Sequence, residues 1–204
     1  FVLVAQNNGQ NGEGGGNNSG GNSTNIWEPD LVELWIYWHK QQYHAFQRFN
    51  HNEDTLQMKQ NQDFQDKMED LRKVDEILFN QYQDNDIPKI PFLLPDAGYA
   101  VDLSVNLLEI SGKTVSMLNE KPFDGQLLGF YIESTVRTSI RIASLVQATI
   151  KALNGWEKEN LRDNDFRENL VDYIIKELES IVGEQNMLYK RLETGKHVSL
   201  LKSK

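Results

Sequence analysis

The chain has 204 residues, 39% hydrophobic and 25% charged, with a formal net charge of −9 and no cysteine. This length allows one medium domain or a domain with an extended arm. The acidic balance argues against a nucleic-acid partner, because phosphate binding needs cationic surface, and the lack of cysteine excludes disulfides, thiolate metal sites and thiol nucleophiles.

The acidity is uneven. Residues 28–86 carry 13 acidic and 6 basic side chains, whereas residues 87–204 carry 16 and 15. At the start, Phe1-Val2-Leu3-Val4-Ala5 is a short apolar stub ending in a small residue. It looks like the end of a secretory signal peptide, so the protein is expected to be secreted or to reside in the periplasm or cell envelope. A retained stub would serve as an N-terminal anchor, the one membrane attachment expected. Residues 7–25 are Gly, Asn and Ser with few others. Such a run cannot bury enough surface to offset its ordering entropy and reads as a disordered tether. Residues 1–26 are therefore taken as signal remnant and tail, and 27–204 as one helical domain.

Trp27-Glu28-Pro29-Asp30 suits a helix start, with Pro in the first turn and acids at the positive end. Apolar residues then recur in steps of three and four: Leu31, Leu34, Trp35, Trp38, Ala45, Phe46 and Phe49, and again Phe64, Met68, Leu71, Val74, Leu78 and Tyr82. With no Gly or Pro before Pro88, the pattern favours one coiled-coil-like helix from about 30 to 84, roughly 80 Å long. It is expected to project beyond the other helices or to pack along them as an arm. The polar stretch Asn50–Asp63 offers the alternative of a break.

Pro88, Pro91 and Pro95 mark an irregular connector, and Asp96 reads as the next N-cap. Residues 97–119 fit two periods. Val101, Leu103, Val105 and Leu107 alternate like a strand, while Ala100, Leu103, Leu107, Ile110 and Leu118 follow a helix. No partner strand is nearby, so a helix is expected. Lys121–Gly125 reads as a turn. Gln126–Asn154 is a strong, widely apolar helix, the expected centre of the bundle, ended by Asn154-Gly155. Asp163 or Asn164 caps a last helix to about Glu193, followed by Gly195 and a basic tail. The result is an all-α bundle.

Little here reads as chemistry. His39, His44 and His51 with Glu53 and Asp54 lack metal-site spacing. Asp163/Asp165, Glu177/Glu179 and Asp84/Asp86 sit at a helix start or on polar faces. Ser104, Ser111-Gly112 and Ser116 lack a nucleophile elbow, and Gly112-Lys113-Thr114 copies only the tail of a phosphate loop. No catalytic residue, cofactor or metal is assigned, and the chain is expected not to be an enzyme. The aromatic cluster on the first helix is denser than one face needs. Trp35, Trp38, Tyr43 and Phe46 are the candidate partner-binding residues, with Tyr37 pointing away from them; the competing reading is a core stripe.

Leu71-Arg72-Lys73-Val74 with Ile77-Leu78, and the polar cap and helix of Leu161-Arg162-Asp163-Asn164-Asp165-Phe166-Arg167-Glu168-Asn169-Leu170-Val171-Asp172, resemble the minor-pilin family of type IV secretion and conjugation systems. The similarity is greatest to the periplasmic helical proteins of conjugative transposons. It implies a non-enzymatic assembly component that docks with other secretion or pilus subunits, with homo-oligomers among its forms. A ligand-binding bundle, with an apolar pocket between 97–119 and 126–154, and a phage or surface structural protein are the alternatives.

Overall fold

The computed structural model describes residues 31–50, 62–84, 97–120, 125–159 and 164–202. These form five helices, and among the described residues there is no strand. They are α1 (Leu31–Asn50), α2 (Gln62–Asp84), α3 (Gly98–Asn119), α4 (Gly125–Glu159) and α5 (Asn164–Lys202). The Gly/Asn tail, residues 51–61, the proline connector and Asp96 lie outside the described residues.

The long pattern of residues 30–84 divides into two helices that pack side by side. His39 on α1 lies 3.5 Å from Asp75 on α2. In one straight helix these residues would stand about 54 Å apart at 1.5 Å per residue. The break is therefore the form adopted. The physical reason is that α1 and α2 each carry an apolar face too wide to be left in water, and packing them together buries both.

Side-chain bonds fix the helix directions. Trp35 and Gln42 both reach residues 69 positions further on, Ser104 and Ser111, so α1 and α3 run parallel. Tyr131 bonds back to Gln42, while Leu31, Trp35 and Trp38 share a core with Ile142, Val146 and Ile150, so α4 runs antiparallel to α1. Thr138 meets Gln185, and Arg141 meets Glu177 and Glu184, so α5 opposes α4. The bundle is thus up–down–up–down–up.

Substantial packing joins α1 to α2, α3 and α4, α4 to α2 and α5, and α3 to α5. The expected central position of α4 is what the structure shows. Of the two expectations for the first helix, packing along the others is what the structure shows, and α1 is a second central element. The last two helices are the long ones, with 35 and 39 residues against 20 for α1. Their far ends pack on each other: the Arg191 guanidinium lies 3.9 Å above the centre of the Phe130 ring.

Three expected boundaries move. α4 continues through Gly155 to Glu159, since a single helical glycine costs only about 1 kcal/mol and does not by itself end a helix. α5 likewise runs through Gly195 to Lys202. Gly195 serves packing there, because a Cβ at that position would collide with Leu127 Cδ1 of α4. The N-cap of α3 is Ala97, with no side-chain cap.

Two apolar clusters fill the interior. One joins Trp35, Trp38, Val74, Leu78, Leu107, Ile142, Val146 and Leu178 with their neighbours. The other joins Phe46, Phe64, Leu71, Met117, Tyr131, Val136, Leu188 and Leu192.

Candidate functional site

Polar side chains lie at the junction of the two apolar clusters, and α1, α3, α4 and α5 each supply at least one. Gln42 on α1 is fully buried. It follows Trp35 and Trp38 by seven and four residues, so the helical repeat turns it inward with them. Its Nε2 donates to Ser111 Oγ on α3, and its Oε1 accepts from the Tyr131 hydroxyl on α4. One amide thus ties three helices. Gln185 on α5 donates to Thr138 Oγ1 on α4 at 3.0 Å, and that hydroxyl donates to the Ser134 carbonyl of its own helix. Two turns nearer the α1 N-terminus, Trp35 Nε1 donates to Ser104 Oγ at 2.9 Å. Burial pushes the Tyr131 phenol above its ordinary range. It therefore stays neutral and keeps its proton for Gln42.

The layer is not fully bonded. Trp38 Nε1, both His39 ring nitrogens, Thr135 Oγ1 and Ser139 Oγ are buried without a hydrogen-bond partner. Burial drives the His39 imidazole down to about 4, and the attraction of Asp75 offsets this only in part. His39 is thus neutral at pH 7, and its ring lies parallel to that of Tyr43 at 6.3 Å. At the rim, Arg141 spans from α4 to Glu177 and Glu184 of α5, each at 3.1 Å.

The residues suggested by sequence fall into these roles. Trp35, Trp38 and Phe46 have 0% exposure and Tyr43 is half-buried. In this fold the two indoles and Phe46 are the packing between α1 and its neighbours, as the core-stripe reading has it, while Tyr43 stays partly open. Ser104 and Ser111 bond the buried Trp35 and Gln42. Lys113 and Thr114 lie within α3, where Thr114 Oγ1 bonds the Ile110 carbonyl at 2.9 Å rather than shaping a loop. Glu177 meets Arg141 and Glu179 accepts from the Tyr99 hydroxyl, so these carboxylates do not converge. His44 is exposed beside Gln47, and His51 lies outside the described residues. Among the described residues no group of three or more His, Asp or Glu could hold a metal ion. No described helix is long and apolar enough to cross a membrane.

The surface shows a feature that the sequence signal had disguised. Leu103 and Leu107 of α3 point into the core, whereas Val101, Val105, Leu108, Gly112 and Val115 form a second stripe at helical spacing. Val105 is 38% exposed, and the rest of the stripe is partly exposed. The strand-like alternation of residues 101–107 is this pair of helical faces read along one line. Tyr37 of α1, 47% exposed, stands at the level of Asn106, given the constant offset between α1 and α3. α3 is seated chiefly against α1 and α5, and it shares both apolar clusters with α4.

Comparison with protein-family models, curated proteins and solved structures finds no match for this chain.

Proposed function

We propose that this protein is a non-enzymatic component that works by docking on other proteins, and that its docking surface is the outer stripe of α3. The observation that carries this is the run Val101, Val105, Leu108 and Val115, partly exposed and spaced to receive one face of a partner helix. Val101 and Leu108 are already packed partly against the core, so covering the remaining exposed area contributes about 1 kcal/mol or less per side chain, an amount suited to a weak, reversible contact. The bonded part of the buried polar layer supports the same reading, because Gln42, Ser111, Tyr131, Thr138 and Gln185 are spent on joining helices. The resemblance to minor pilins suggests the setting: a conjugation or type IV secretion apparatus outside the cytosol, with its subunits as partners.

The test is a photo-crosslinking amino acid at position 105 in the native host, with products identified by mass spectrometry. Covalent products with cell-envelope transfer subunits are expected, and Leu108→Lys should abolish them while leaving helicity unchanged. Products confined to cytosolic proteins, or products unaffected by Leu108→Lys, would refute the reading.

A further inference from the structure

His39 occupies an unusual position. Its side chain is fully buried, neither ring nitrogen has a hydrogen bond, and it lies at the seam between α1 and α2, 3.5 Å from Asp75. Asp75 itself is 36% exposed and so keeps contact with water. Among the described residues, the charges acting on the imidazole are Asp75 across the seam and Lys40 on its own helix. Toward α1, α3 presents the Ser104 and Ser111 hydroxyls and α4 the neutral Tyr131 phenol. A proton arriving on His39 would thus meet one carboxylate at the edge of an otherwise uncharged interior.

The second observation concerns α2. Its exposed side is bound to itself. Lys67 pairs with Asp63, Arg72 with both Glu69 and Glu76, and Lys73 with Asp70, all three or four residues apart. These pairs belong to the helix and not to the bundle, so they persist when the helix moves away. Toward the bundle the described side chains of α2 include four buried apolar ones: Phe64, Leu71, Val74 and Leu78. It packs on α1 and α4.

We propose that the α1–α2 seam is a proton-operated latch, in which protonation of His39 releases α2 and bares the apolar face that it covers. The proposal is independent of the docking stripe on α3. The sign follows from linkage. In an opened seam His39 regains its ordinary value of 6.5, whereas the closed seam holds it near 4, chiefly by burial. The open form therefore binds the proton more readily. Closure is at full strength above pH 6.5 and weakens as the pH falls from 6.5 to 4. Complete protonation raises the open-to-closed ratio by about 300-fold.

The absence of cysteine makes a direct test simple. His44→Cys and Asn80→Cys place two labels on exposed positions of α1 and α2, and their separation is read by pulsed electron spin resonance from pH 7.5 to 4. A longer-distance population should grow below pH 6.5. It should be absent over this range in a His39→Gln background, and larger in Asp75→Asn, which removes the one attraction favouring the proton in the closed seam. An identical acid response in His39→Gln would overturn the proposal. Should that variant fail to fold, Asp75→Asn decides: a longer-distance population no larger than that of the wild type at the same acid pH would overturn the latch.

Discussion

Gln42 is the side chain whose loss should say most about how this bundle is specified. Gln42→Leu leaves an apolar side chain one atom shorter and removes both bonds of the amide, to Ser111 and from Tyr131. The two stranded partners are not equivalent. Ser111 can turn to the carbonyl four residues back, as Ser104 and Thr114 do in the same helix. The Tyr131 phenol is fully buried and too far from its own backbone to do so. An unsatisfied buried hydroxyl costs about 1–3 kcal/mol, so Gln42→Leu should lower stability by about 2–3 kcal/mol, most of it from the phenol. Tyr131→Phe alone strands the Gln42 carbonyl and should cost about 1–3 kcal/mol. Together, the two changes remove both ends of one bond, and the double variant should be more stable than the sum by about 1–2 kcal/mol. Thr135 lies beside Tyr131 and offers a weak substitute acceptor, so adding Thr135→Val to Gln42→Leu should increase the loss. Urea unfolding with an unchanged denaturant slope measures each corner of the cycle. Additive single losses, with coupling below about 0.5 kcal/mol, would show that the layer does not act through these bonds.

Trp35→Ala and Trp38→Ala should each destabilise the bundle by about 3–5 kcal/mol, since both indoles are fully buried, with loss of helicity on circular dichroism. Trp35→Phe should cost less than Trp35→Ala, about 1–2 kcal/mol, because the ring is largely retained and only the bond to Ser104 is lost. Retention of full helicity in either alanine variant would return these residues to a surface role. Arg141→Met keeps the aliphatic stem and removes the tie to Glu177 and Glu184. The loss should be about 1 kcal/mol, because the guanidinium is partly open to solvent, and it should shrink in high salt.

Much of the architecture was legible in the chain. Three- and four-residue apolar steps mark all five helices, and the wide apolar face of residues 126–154 already singles out the central α4. The misreadings have one origin. A periodic pattern reports which face of a helix is apolar, but not where that helix turns back or what covers the face. Thus residues 30–84 favour one rod as well as two packed helices, and the contact between His39 and Asp75 separates them. Gly155 and Gly195 carry the composition of helix ends, yet both lie within helices. At Gly195 the demand is a close approach to Leu127, set by a different helix.

The site shows the same division. Gln42 recurs in step with Trp35, Trp38 and Phe46, and a polar residue on an apolar face is a visible signal. Its partners Ser111 and Tyr131 lie 69 and 89 residues away, a pairing no local pattern contains. The dense aromatics of α1 suggested an exposed anchor because composition does not distinguish a core from an interface; both select large, rigid apolar rings. Conversely, the exposed stripe of α3 hid inside an alternation that resembled a strand. The sequence by itself determined that the described chain is helical, since side-chain periodicity follows from backbone geometry alone. Only the tertiary structure decided that α1 is a second central helix, which polar groups meet, and which apolar face remains in water. Those outcomes depend on distances between residues far apart in the chain.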